Sequence, residues 1–174
     1  YYLKTRTLDT LVHISYLLLG GNQGPVEDHF RRAAHILPPG ITITRRSTLY
    51  RTAAWQMEPG TPEFLNQVWE IRTSSTPHNL LQQVLQLEKN LGRVRNSRDT
   101  GSYANRKIDI DILLYDHLVI DDERLQIPHP RLPERKFALV PLAELAGEYI
   151  HPQMQRTIQN LLAESPDNSE VFPR

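Results

Sequence analysis

The sequence predicts an α+β domain built on an antiparallel sheet, with helices packed on one face of that sheet and a C-terminal extension. Three observations support this. Apolar runs of strand length alternate with two stretches whose apolar residues recur at helical spacing. Gly and Pro punctuate nearly every junction between them. At 174 residues, 39% of them hydrophobic, the chain can build one substantial core and does not call for a second domain.

Residues 1–12 come before the first convincing strand and read as a leader, an expression remnant or an extra edge element, which leaves 13–174 as the domain. His13 to Leu19 is a short apolar run stopped by Gly20-Gly21, a buried strand ending in a turn. Pro25 opens a helix to about Leu37, because Val26, Phe30, Ala33, Ala34 and Leu37 fall on one face before Pro38-Pro39-Gly40 ends it. Ile41 through Tyr50 is rich in β-branched residues and predicts a second strand, and Phe64 through Ile71 a third. Between them Arg51 to Glu63 forms a long loop. Thr76-Pro77 launches a second helix, with Leu80, Leu81, Val84, Leu85, Leu87, Glu88 and Leu91 in an amphipathic pattern that Gly92 closes. A second long polar loop runs from Arg93 to Arg106. The strand from Lys107 to Tyr115 follows, then a hairpin near Asp116-His117, a proline-rich stretch from Pro128 to Pro133, and a short helix from Pro141 to about Ala146. The order β-α-β-β-α-β is the split pattern of the ferredoxin-like α+β class. Fold alone assigns no function. Two structureless loops of about a dozen residues are uncommon in a compact domain, and such loops often bind ligand.

Composition narrows the function. Lys plus Arg and Asp plus Glu balance at 20 each, so no overall field draws the chain to nucleic acid or an anionic membrane. With no cysteine, disulfides, thiolate metal sites and a Cys nucleophile are excluded together, and a cytoplasmic setting is the expectation. No apolar run reaches the length of a membrane span.

In Ile108-Asp109-Ile110-Asp111-Ile112 the side chains alternate, so both carboxylates leave one side of the strand and the isoleucines the other. Alternation by itself reads more readily as a half-buried strand with a wet face. The neighbourhood changes the balance. Arg93, Arg95, Arg98, Arg106 and Lys107 put five cations within fifteen residues just upstream. Guanidinium forks match phosphate oxygens, and paired carboxylates hold a hard cation such as Mg²⁺ together with substrate phosphates. Either feature alone is ordinary, whereas a cationic loop feeding a paired-carboxylate strand suits a metal-nucleotide transferase. Further on, His129 stands between two prolines and is as readily a structural histidine as a phosphate contact. Thr52, Trp55, Phe64 and Asn66 offer a hydroxyl, an indole, an aromatic face and an amide, which suit a flat heterocycle, though Phe64 and Phe137 alone would be read as core.

Taken together these residues resemble the 6-hydroxymethyl-7,8-dihydropterin pyrophosphokinases of folate biosynthesis. The resemblance runs from Tyr16 to about Leu145. Its anchors are Leu19-Gly20-Gly21-Asn22, Tyr50-Arg51-Thr52, Phe64-Leu65-Asn66, Glu88 with Gly92-Arg93-Val94-Arg95, Arg106 through Leu113, and Ile127-Pro128-His129-Pro130 with Arg135 and Phe137. It implies transfer of the β,γ-pyrophosphoryl group of ATP to the pterin hydroxymethyl, with release of AMP. It implies two Mg²⁺ ions on Asp109 and Asp111 and catalytic roles for Arg93 and Arg106. Nucleotide contacts are implied for Arg93, Arg95, Arg106, Ile112, Arg124, Leu125, His129 and Arg135. Pterin contacts are implied for Thr52, Ala53, Trp55, Phe64, Asn66 and Phe137. A monomer is expected, with a dimer as the alternative. The chain departs from the family pattern at Gly21, where a serine is usual, and at Thr52-Ala53-Ala54 in place of Thr-Pro-Pro. Leu85 stands where a glutamine is frequent, and the second loop is longer, with Tyr103 matching the usual tryptophan.

Two alternatives share the fold class. An RNA-binding module would need an aromatic-rich strand, and Asp109 and Asp111 would set anions where phosphates must pass. A regulatory domain would bind nucleotide without turnover.

Overall fold

The computed structural model describes residues 11–53, 59–92 and 106–174. In chain order the elements are β1 (His13–Gly21), α1 (Val26–His35), β2 (Ile41–Arg46), β3 (Tyr50–Thr52), β4 (Phe64–Thr73), α2 (Pro77–Asn90), β5 (Asp109–Tyr115), β6 (Ile120–Asp121), β7 (Gln126–Ile127), a 3-10 turn at Leu132–Glu134, α3 (Lys136–Ala146), α4 (Ile158–Glu164) and β8 (Val171–Pro173). All pairings are antiparallel. β5 pairs with β1, β1 with β4, β4 with both β2 and β3, and β3 with β8. The chain is thus an α+β domain on an antiparallel sheet.

The first two predicted helices form where their apolar spacing puts them. α1 buries Val26, Phe30 and Ala33, and α2 buries Leu80, Val84 and Leu87. Thr76 caps α2 by accepting the Asn79 N–H at 3.3 Å, with Pro77 as first helical residue. These faces meet Leu17, Leu19, Trp69, Ile71, Ile110 and Ile112 from the sheet, and Ile108 just before β5, in one apolar cluster. Each fully buried side chain of this size contributes roughly 1.5–3 kcal/mol relative to exposure.

The predicted second strand is in fact two, β2 and β3, both lying against β4. Ser47 is the cause of the break. Its N–H donates to Val68 O and its hydroxyl accepts the Val68 N–H, both at 2.9 Å, so a side chain replaces one rung of the ladder.

Three expectations need correction. Helices lie on both faces of the sheet. Tyr16, Leu18, Val68, Leu113 and Leu114 point away from α1 and α2 and would be left bare, and α3 and α4 cover them in a second apolar cluster. Pro141 lies inside α3 and does not open it, because the helix starts at Lys136, whose N–H is taken by Asp167 at 2.8 Å. The chain turns at Asp116-His117, but the hairpin comes later, where β6 pairs with β7 around a turn in which Asp122 accepts the N–H groups of Arg124 and Leu125. α4 and β8 have no counterpart among the predicted elements.

One polar knot bridges the sheet beneath α3. Glu70 accepts from Arg45, from the Thr44 hydroxyl at 2.7 Å and from the Tyr16 hydroxyl at 2.9 Å. The Arg45 guanidinium and these donors hold the Glu70 carboxyl at about 2, well below its ordinary 4.5. A lowered carboxyl pKa contributes stability that is present above pH 4.5 and lost as pH falls through 2. Urea midpoints measured from pH 5 down to pH 2 are therefore expected to fall more steeply for the native chain than for Glu70→Gln.

Candidate functional site

At the end of β1 the chain reaches Gly20, whose strand partners are Asn66 on β4 and Asp109 on β5. Paired residues in antiparallel strands point to the same face, so Asn66 and Asp109 look out side by side with no side chain between them. They stand two strand spacings apart, about 10 Å. Room for this is tight, since a Cβ on Gly20 would lie 3.1 Å from Asn66 Oδ1. Asp111, the partner of Leu18, shares the face, as does Phe64, two residues before Asn66 and partner of Thr52. The Asn66 amide donates to the Thr52 hydroxyl at 3.1 Å, and both residues are buried. Leu18 and Val68 continue this face into the cluster under α3 and α4. One end of the face is a polar shelf and the other is apolar core.

Guanidinium groups frame the shelf. Arg106 pairs with Asp109, and Arg135 Nη1 lies 3.7 Å from Asp111 Oδ2. Arg135 comes just before α3, and its guanidinium stands over the ring of Phe137, 5.6 Å from the centroid. His129 is hooked to β5 through its N–H to Leu113 O at 2.9 Å, and its Nδ1 accepts the Arg131 N–H at 3.2 Å. Burial and the nearby Arg135 and Arg131 charges push the His129 imidazole down to about 4, so it is neutral at pH 7.

Arg106, Asp109, Asp111, His129 and Arg135 are therefore brought together, and Thr52, Phe64, Asn66 and Phe137 belong to the same face of the sheet. Ala53 is exposed beside Thr52. Ile112 and Leu125 turn the other way, into the cluster under α1 and α2, and Arg124 is exposed on the β6–β7 turn. Arg93, Arg95, Trp55 and Tyr103 lie outside the described residues.

Two further residues hold the shelf in place. Glu88 of α2 is 1% exposed, and its Oε1 accepts the Ile110 N–H, between the two aspartates, at 2.7 Å. β5 is an edge strand, and Glu88 covers part of that edge. A carboxylate on the apolar face of a helix, four residues after Val84, was the sequence signal for it. Asn22 is 4% exposed and binds both the segment at Arg106 and the loop at Pro62. Its position after Gly20-Gly21 was visible in the sequence, but its partners were too distant along the chain to read. Gly21 is required as glycine here, because a Cβ would sit 2.6 Å from Lys107 O, and the serine usual at this position would force the two backbones apart.

A face that gathers paired carboxylates, guanidinium groups, an aromatic ring and a buried amide can hold a hard cation, phosphate oxygens and a flat heterocycle together, which is the equipment of a phosphoryl transferase. Comparison with known proteins makes this specific. Residues 16–147 match the 7,8-dihydro-6-hydroxymethylpterin-pyrophosphokinase (HPPK) family, and the chain belongs to it. The 2-amino-4-hydroxy-6-hydroxymethyldihydropteridine pyrophosphokinase of Synechocystis is 36% identical over 163 residues, covering 92% of this chain and 80% of that one. The Bacillus subtilis protein of the same name is 40% identical over 138 residues, covering 78% of this chain and 80% of that one. Among solved structures, wild-type HPPK-DHPS of Plasmodium falciparum superposes with a TM-score of 0.70 at 17% identity, over 88% of this chain and 44% of that chain. Among the described residues, no helix is long and apolar enough to cross a membrane.

Proposed function

We propose that this chain transfers the pyrophosphoryl group of ATP to the hydroxymethyl of 6-hydroxymethyl-7,8-dihydropterin, giving the pterin diphosphate and AMP, on the shelf formed by Asn66, Gly20 and Asp109. The observation that carries this reading is that row across three strands, with an amide suited to a heterocycle at one end and a carboxylate suited to a cation at the other. Its family membership supports the reaction and ATP as co-substrate.

The donor set fits Mg²⁺. Asp109 and Asp111 supply hard oxygen ligands of the kind that hold Mg²⁺ together with substrate phosphates. We assign two ions, as the family resemblance implies. Held by Asp109 and Asp111, Mg²⁺ would neutralise charge on the transferring oxygens and favour deprotonation of the attacking hydroxyl. The rest of the chemistry is positioning. Arg106 and Arg135, already beside the carboxylates, exchange part of that contact for phosphate oxygens. Neutral His129 supplies an imidazole to the phosphate end. Phe64 and Phe137 enclose the ring, Asn66 reads its edge with Thr52 behind it, and Ala53 and Trp55 are also assigned to the pterin. Arg93, Arg95 and the exposed Arg124 are assigned to the nucleotide, and Ile112 and Leu125, whose side chains lie in the core, are assigned to it through their main chain. With the hydroxyl held in line with the β-phosphorus, catalysis rests on orientation and charge, and neither aspartate acts as nucleophile or principal base. We read the sheet order as ferredoxin-like and the working unit as a monomer, with a dimer as the alternative.

The test is AMP release. It is expected only when Mg²⁺, ATP and the pterin alcohol are all present, and to cease with excess chelator. AMP formed without the pterin, or none with all three, would overturn the assignment.

A further inference from the structure

We propose that Asn22 is a positioning residue that fixes the spacing between the root of the arginine segment at Arg106 and the root of the heterocycle loop at Pro62, and thereby the approach of the two substrates. The inference rests on the pyrophosphokinase reading and adds a residue to it. Arg106 is held at both backbone groups. Its carbonyl accepts the N–H of Asn22 at 2.9 Å and of Gln23 at 3.1 Å, and its N–H donates to Asn22 Oδ1 at 2.9 Å. The other end of the same amide, Nδ2, donates to Pro62 O at 3.4 Å, two residues before Phe64. One rigid, buried side chain therefore touches the two loop ends that border the shelf, one leading from the guanidinium groups and one leading to the aromatic ring.

An amide is suited to this. It must accept on one side and donate on the other, since both partners are main-chain groups of opposite polarity. The close approach is possible because Gly21 has no Cβ to meet Lys107 O. On the far side His29 Nδ1 lies 3.0 Å from the same Lys107 O, so α1 also bears on the start of this segment. Displacements of about 1 Å at reacting centres cost on the order of 10²-fold in rate. A residue that sets the distance between two substrates can therefore matter without touching either.

Two substitutions separate the two ends. Asn22→Ala removes the side-chain bonds to Arg106 and to Pro62, whereas Asn22→Asp keeps the acceptor for Arg106 N–H and loses the donor to Pro62 O. Amide hydrogen exchange at Arg106, which needs no substrate, is expected to speed up by roughly tenfold in Asn22→Ala and to stay near the native rate in Asn22→Asp. In AMP-release kinetics Asn22→Ala is expected to lower kcat by about 10–100-fold. Asn22→Asp is expected to raise the KM for the pterin alcohol several-fold with the KM for ATP within about twofold of native. The proposal is overturned if Arg106 exchange is unchanged in the Ala variant, or if Asn22→Asp shifts both KM values alike or neither. Should Asn22→Ala not fold, the KM split in Asn22→Asp decides alone. If the native chain releases no AMP, the reaction reading fails, and the exchange comparison still supports or overturns the link between loops.

Discussion

Asp111→Ala is expected to cut AMP release by about 10²–10³-fold, the loss typical of removing one major electrostatic stabiliser, with little change in the urea midpoint. Asp109→Ala is expected to behave the same way. The argument starts from where the side chains sit. Both leave the polar face of β5, one beside Arg106 and the other beside Arg135, and neither is enclosed: their side chains are 19% and 33% exposed. Truncating a partly exposed carboxylate at the edge of the shelf leaves no cavity in the apolar core, so the fold should tolerate it. What is lost is one of two adjacent hard oxygen donors. Like charges this close repel, and a chain that keeps both gains most from them when cations are shared between them. Circular dichroism and urea titration check the fold, and steady-state AMP release checks the chemistry. An Asp111→Ala variant with native turnover would end the metal assignment.

Glu88→Ala is expected to act through the opposite property, loss of stability by about 2–4 kcal/mol, read as a lower urea midpoint. Glu88 lies in the interior, so its removal opens a void and strands the Ile110 N–H that it accepts at 2.7 Å. Glu88→Gln keeps an acceptor of the same shape and is expected to recover most of the loss. Because Ile110 lies between the two aspartates, the Ala variant should also turn over more slowly at temperatures where it remains folded.

Much of the fold could be read from local pattern. The two helices announce themselves by apolar spacing and by Pro25, Thr76-Pro77 and Gly92, and β1, β4 and β5 by apolar runs of strand length. What the pattern did not convey depends on contacts distant along the chain. The Ser47 break needs Val68 as partner, 21 residues on. The second helical layer follows from which leucines remain uncovered once strands are in register, a quantity that no single strand reveals. The start of α3 at Lys136 depends on Asp167, 31 residues away. At the site, the aspartate pair was legible because strand alternation is a local rule. The shelf was not, since it needs Gly20 to stand between Asn66 and Asp109, and that juxtaposition exists only across strands. Ile112 and Leu125 entered through family resemblance alone, and their side chains point into the core.

The pairing of β1 with β5 slips between Tyr16 and Leu17, leaving Leu113 as an extra residue. Before it, alternation sends Asp109 and Asp111 to one face and the isoleucines to the other. After it, the parity is inverted, so Leu114 joins Leu113 beneath α3 and α4, and Tyr115 swings across to donate to Ser75 O at 2.5 Å in front of α2. The carbonyl at the irregularity also receives the His129 N–H. One surplus residue thus acts as a phase boundary in β5. It lets the same strand present charge to solvent along its first half and grease to the interior along its second, and it anchors the histidine loop where the two meet.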